Sequence, residues 1–168
     1  LFPYTTLFRS CDGIQIIDEL TGEVIKTHLF VATLPFSQYT FAEFTLDQKL
    51  ETFIEMHDKT WNFFDGVTDY TVPDNLKSAV SKAHRYDPDC NKSFCEYANH
   101  VGFAVLPARP YKPRDKASVE GNIHHIQSSF FQRVRNKRYK TLYELNQDFK
   151  VFLSEFNNSI MKDYGVSR

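Results

Sequence analysis

Cysteine, tryptophan and glycine are scarce in this chain of 168 residues, which holds three Cys, one Trp and six Gly. Three cysteines (Cys11, Cys90 and Cys95) are an odd, sparse set that excludes a disulfide scaffold and fits a reducing, cytoplasmic setting. No apolar run is long enough to span a bilayer and no secretory leader is evident, so a membrane partner is not expected. Internal repeats and low-complexity stretches are also missing. What is plentiful is aromatic carbon: sixteen Phe and nine Tyr within a 42% hydrophobic composition, enough to bury one sizeable core.

A net charge of −1 hides an uneven distribution. Between Pro107 and Lys140 nine basic side chains (Arg109, Lys112, Arg114, Lys116, Arg133, Arg135, Lys137, Arg138 and Lys140) face only Asp115 and Glu120. The remainder is correspondingly acidic. Such asymmetry suits a surface that meets a polyanion, most simply nucleic acid; a solvated basic helix end accounts for it equally well.

The hydrophobic pattern predicts the order β-β-β-α-β-α-β-α-α. Ile14–Ile17 reads as a first strand ending in the turn Asp18–Glu23. Thr27–Leu34 and Tyr39–Thr45, rich in β-branched and aromatic residues, read as a hairpin around Pro35–Gln38. The period then becomes helical: Thr45 and Gln48 have capping-box spacing, and Leu46, Leu50, Phe53, Ile54, Trp61 and Phe64 follow as one apolar stripe. Short strands at Val67–Val72 and Phe103–Leu106 bracket a helix at Ser93–His100. After the Pro-rich link 107–113, Val119, Ile123, Ile126, Phe130 and Val134 mark a third helix. Thr141 with Glu144 forms a capping box for a fourth, buried through Leu142, Leu145, Phe149, Phe152, Leu153 and Phe156. The fold class expected is α/β, a mixed sheet of three antiparallel and then parallel strands flanked by helices.

The first ten residues stand apart. LFPYTTLFRS, Leu1 to Ser10, translates CTC TTT CCC TAC ACG ACG CTC TTC CGA TCT codon for codon, a common short-read sequencing adapter. The expectation is that residues 1–10 are an artefact, that the natural chain begins near Cys11, and that these residues either fray or imitate a missing first strand, since Tyr, Thr and Phe favour strands.

Two acidic residues occupy positions that core packing does not require. Asp74, in VPDN just past the fourth strand, sits where α/β sheets present ligand groups, although Asp there also serves as a helix N-cap. Glu120 lies in the early turns of the basic helix, where a lone Glu is ordinarily solvated. Together their hard oxygens suit Mg²⁺ or Mn²⁺ beside a phosphate backbone. A third carboxylate is needed on the first strand, and none is present there. Lys112, Arg114 and Lys116 are candidates for phosphate contact, as are Lys77, Arg109, His124 and the loop cations Arg135, Lys137 and Arg138, with Tyr139 interleaved. Cys90 and Cys95, near His84 and His100, lack the tight Cys pair of a closed zinc site.

VPDNLKSAV (Val72–Val80), VLPARPYKPRDKASVE (Val105–Glu120) and IIDELTGEV (Ile16–Val24) together resemble the catalytic core of IstA-type insertion-sequence transposases, members of the DDE transposase and retroviral-integrase superfamily. The resemblance implies a ribonuclease H-like fold over 11–140, with 141–168 as a C-terminal helix packing on that core. It places the family's second catalytic Asp on Asp74 and its catalytic Glu on Glu120, and it puts the first catalytic Asp near Phe8, so that this chain is expected to be inactive as it stands. For an intact parent it implies metal-dependent cleavage of element ends and strand transfer into target double-stranded DNA. Implied partners are an ATP-hydrolysing helper protein and further copies of the chain assembled on DNA, in a bacterial, nucleoid-associated setting. A nuclease of the same fold and a non-catalytic DNA-binding or assembly module are the alternatives.

Overall fold

The computed structural model describes residues 5–73, 80–82, 89–106 and 117–159. In chain order the elements are β1 (Thr5–Asp12), β2 (Ile16–Ile17), β3 (Val24–Ile25), β4 (His28–Thr33), β5 (Thr40–Thr45), α1 (Leu50–Phe64), β6 (Tyr70–Val72), β7 (Val80–Lys82), β8 (Asp89–Cys90), α2 (Lys92–Val101), β9 (Ala104–Val105), α3 (Ala117–Val134) and α4 (Leu142–Asn158). Five strands form the main sheet in the order β5-β4-β1-β6-β9. β1 pairs antiparallel with β4, which pairs antiparallel with β5; β1 pairs parallel with β6, and β6 with β9. This is the mixed sheet of a ribonuclease H-like fold.

Strand β4 shows why the sheet needs helices on both faces. Leu29, Phe30, Val31 and Ala32 are consecutive and all buried, the mark of a strand covered on each side. Alternation sends Leu29 and Val31 into a core with Phe44, Ile126, Phe130, Phe149 and other residues of α3 and α4. Phe30 and Ala32 join Phe41, Phe53, Trp61, Phe94 and Phe103 in a second core under α1 and α2. Aromatic edges interlock in both: Phe44 meets Phe149 at 4.9 Å and Phe53 meets His57 at 4.4 Å, each T-shaped.

The helices begin and end for local reasons. Asn91 caps α2 by accepting from the Ser93 and Phe94 amides, and Gly102 closes it in the left-handed region at φ 99°. Thr141 caps α4, its Oγ1 accepting from the Glu144 amide at 3.1 Å, as its spacing predicts. The expected box at Thr45 and Gln48 does not form. Thr45 closes β5, Lys49 occupies the α1 N-cap without a side-chain bond, and Asp47 accepts from the Lys49 amide and Thr52 Oγ1 instead.

Two further expectations are corrected. Ile14–Ile17 is not the first strand of the main sheet: Ile16 and Ile17 pair with Ile25 and Val24 in a separate two-stranded ribbon, and Ile16 bridges Tyr139. The central place in the main sheet is taken by β1, whose first six residues belong to LFPYTTLFRS. A slot between β4 and β6 demands backbone partners on both sides, and a Thr- and Phe-containing segment supplies them. Sulfur chemistry differs too: Cys95 is disulfide-bonded, so it offers no thiolate to zinc, whereas Cys11 is a thiol donating to the Leu29 carbonyl.

Candidate active site

Register sets the geometry of the site. Leu7 pairs with both Thr33 and Val72, and Thr33 pairs with Thr40, so Thr40, Thr33, Leu7 and Val72 form one row across the sheet. One step along β1 is Phe8, paired with Ala32, and one step along β6 is buried Pro73, directly before Asp74. Helix α3 crosses this sheet obliquely. Its beginning is tied to the row by Asn122, whose Nδ2 donates to Thr40 Oγ1 at 3.0 Å. Farther along, Gln127 Nε2 donates to the Asp12 carbonyl at 3.3 Å at the opposite end of β1. Glu120, exposed in the first turn of α3, precedes Asn122 by two residues.

Position 8, one step beyond that row on β1, carries Phe. The implied carboxylate set is thus incomplete at its central strand. Among the described residues no group of three or more His, Cys, Asp or Glu is placed to hold a metal ion. A two-metal centre needs several hard oxygens converging on one point; of the two implied carboxylates only Glu120 is among the described residues. Asp74, Lys77, Arg109, Lys112, Arg114 and Lys116 lie outside the described residues, as does His84.

The basic turn between α3 and α4 divides into two kinds of cation. Lys137 Nζ donates to Asp148 Oδ2 at 2.6 Å, Arg133 forms a two-pronged pair with Glu155, and Lys140 pairs with Glu19. These contacts hold the carboxyls below their usual range, Asp148 through Lys137 and then Tyr139, Glu155 through Arg133. Arg135 and Arg138 are exposed and make no ion pair with a described residue. Tyr139 is a core residue, 5% exposed: its hydroxyl donates to Asp148 at 2.8 Å and its carbonyl accepts from the Ile17 amide. Tyr139, interleaved among the basic residues of this turn, is buried and leaves no ring face for a base. His124 is exposed on α3; the His125 ring lies 5.3 Å from that of Phe156.

Sequence reasoning overlooked Asn122, Asn146 and Asn157. Each sits beside an apolar stripe on α3 or α4, and the visible signal was an amide where a core helix ordinarily carries carbon.

No family model matches the chain. The HTLV-2 integrase catalytic core solved with magnesium superposes with a TM-score of 0.71 at 11% identity, over 98% of this chain and 92% of that one. A simian T-cell lymphotropic virus intasome chain superposes at 0.75 with 11% identity, over 98% of this chain and 52% of that one. The fold is thus that shared with retroviral integrase catalytic cores, ribonuclease H-like in its sheet. In sequence it is 38% identical over 158 residues to "Putative transposase y4uI" of Sinorhizobium fredii, covering 94% of this chain and 31% of that protein. The "Putative transposase for insertion sequence IS1162" of Pseudomonas fluorescens is 34% identical over 149 residues, covering 89% of this chain and 26% of its own length. The chain belongs to the insertion-sequence transposase family and spans about a third of the length of the curated relatives it matches.

Proposed function

We propose that the chain is the catalytic-core segment of a DNA transposase whose intact form cuts element ends and joins them to target DNA. The observation that supports this reading is the mixed sheet β5-β4-β1-β6-β9 of integrase-core topology, with the start of α3 anchored on it through Asn122 and Thr40. Asp74 and Glu120 would hold Mg²⁺ or Mn²⁺, which would supply Lewis acidity for phosphodiester cleavage and joining. Glu120 and Asp74 are the carboxylates this chain contributes. Arg135, Arg138 and His124, with Lys77, Arg109, Lys112, Arg114 and Lys116, hold phosphates, and Lys137 contributes less because Asp148 already holds it. A helper ATPase and further copies of the chain complete the assembly, at the bacterial nucleoid.

Residues 1–10 are adapter-derived in this reading, and Phe8 stands where the first catalytic Asp belongs. Lacking that carboxylate, the chain holds divalent metal weakly and does not cleave.

The test is Phe8→Asp, alone and with Glu120→Gln, followed by Mn²⁺ titration and cleavage of a labelled element end. Restoring one hard ligand to a site that has two should raise Mn²⁺ affinity by roughly tenfold or more, worth about 1.4 kcal/mol. Glu120→Gln should cancel the gain. If Phe8→Asp binds no more Mn²⁺ than the parent chain, the carboxylate assignment is wrong and a non-catalytic DNA-binding module becomes the better reading.

A further inference from the structure

A buried polar cluster ties the start of α3 to the edge of the sheet. Thr33, Thr40, Asn122 and Asn157 are 0, 0, 6 and 4% exposed, although they lie among apolar side chains. Polar groups are tolerated at such depth only when their hydrogen bonds are met, and here the accounting closes. The Thr40 hydroxyl donates to the Gln38 carbonyl at 2.9 Å and lies within bonding distance of Asn122 Nδ2 at 3.0 Å and Thr33 Oγ1 at 3.1 Å. With Asn122 and Thr33 donating, that is the full complement of a hydroxyl, one proton and two lone pairs. The second Nδ2 proton of Asn122 reaches the Gln38 carbonyl at 3.4 Å. The backbone of Thr40 is pinned independently: its amide donates to Asn157 Oδ1 at 3.1 Å and its carbonyl accepts from Asn157 Nδ2 at 2.7 Å. Gln38, held in the left-handed region at φ 60°, presents its carbonyl to the cluster.

We infer that Asn122 is a positioning residue, which through Thr40 fixes the first turn of α3, and with it Glu120, on the sheet. The inference rests on the reading of Glu120 as a site carboxylate. Residues two apart on a helix are separated by about 200° around its axis, so Asn122 grips β5 while Glu120 is carried on the opposite side of α3. An apolar residue at 122 would bury equally well but would leave the helix free to rotate or slide by fractions of a turn. A hydrogen-bonded amide does not permit that, because any displacement leaves Asn122 and Thr40 unpaired in the core. Asn157 supports the same point from α4, so the two C-terminal helices hold one strand residue between them.

The experiment compares Asn122→Ala, Thr40→Val and Thr40→Ser in the full chain. Thr40→Val is near-isosteric and removes the hydroxyl; Thr40→Ser keeps it. By amide hydrogen exchange, losing these bonds should speed exchange of residues 121–124 by about tenfold in Asn122→Ala and Thr40→Val. Residues 127–133 should be unchanged, and Thr40→Ser should stay within about twofold of the parent at every position. In the Phe8→Asp background, Thr40→Val should weaken Mn²⁺ binding about tenfold and Thr40→Ser should not. Indistinguishable exchange in the Val and Ser variants would overturn the positioning role, and so would unchanged Mn²⁺ affinity in Thr40→Val where the background does bind Mn²⁺. If the Phe8→Asp background binds no Mn²⁺, the metal reading of Glu120 falls by itself, and the exchange data alone decide whether Asn122 anchors α3.

Discussion

Strand β5 is an edge of the main sheet, and its treatment gives a prediction whose size follows from geometry. Thr40, Ala42 and Phe44 share one parity along the strand, the parity whose backbone groups face away from β4. Two of the three are occupied by side-chain amides from α4. Asn157 pairs with Thr40, and Asn146 pairs with Phe44, the Phe44 amide donating to Oδ1 at 2.9 Å and Nδ2 donating to the Phe44 carbonyl at 3.0 Å. The two asparagines are eleven positions apart, about three helical turns, so both face the strand. They serve as a substitute for a sixth strand and blunt an edge that would otherwise template pairing with another chain.

Asn146→Ala removes both bonds at Phe44. Each is worth about 0.5–1.5 kcal/mol net, and the exposed groups regain some hydration because they border a cleft between α1 and α4, so about 2 kcal/mol is expected in total. For a chain of this size that lowers the melting midpoint by about 4–8 °C. Asn158→Ala is the control: its amide reaches only Ser154 Oγ at 3.4 Å on the exposed side, and the change should stay within about 0.5 kcal/mol. Thermal melts give the first readout, and sedimentation velocity the second, since an opened edge should promote self-association. If Asn146→Ala melts within about 1 °C of Asn158→Ala and sediments identically, the amides do not close the edge and the reasoning fails.

Two further outcomes are expected. His57 is completely buried among Phe30, Phe53, Phe94 and Phe103, with Nδ1 donating to the Phe53 carbonyl at 2.7 Å, and desolvation pushes its pKa down to about 3. The folded state keeps the ring neutral while the unfolded chain takes up a proton below about pH 6.5, so stability is intact above that pH and falls as pH drops towards 3, by up to about 1.4 kcal/mol per unit. Urea melts at pH 7 and pH 5 should show this loss in the parent and a much smaller one in His57→Leu; equal slopes would remove His57 as the cause. For nucleic acid, Arg135→Ala and Arg138→Ala should each lower the slope of log affinity against log salt by about one, whereas Lys137→Ala, whose ammonium Asp148 already engages, should change it far less. A slope change for Lys137→Ala as large as for the arginines would show that its ion pair opens on DNA.

Local pattern was legible wherever a property repeats within one element. The apolar stripes of α1, α3 and α4, the Thr141–Glu144 cap and the basic turn all follow from spacing, because a helix places residues three and four apart on one face whatever surrounds it. Misreadings arose where partners are distant in the chain. Ile16–Ile17 looks like a sheet strand and is one by conformation, but its partners are Val24–Ile25 and the backbone at Tyr139. Tyr139 and Lys137 look like a nucleic-acid loop, and Asp148, some ten residues on, engages both. Asn122, Asn146 and Asn157 look like incidental polar residues, and they bond to strand β5 from 82, 102 and 117 residues away.

By itself, then, the order of residues determined which segments are helical, which are extended, where charge accumulates and which carboxylates are candidates, since each of those depends on neighbours within a few positions. Only the tertiary structure decided that residues 5–12 fill the central slot of the sheet, that Asn122 ties the start of α3 to Thr40, and which cations are already held by carboxylates. The physical reason is that strand register and hydrogen bonds between distant segments are collective: a bond from Asn122 to Thr40 exists only once β1, β4, β5 and α3 have all been assembled in one alignment.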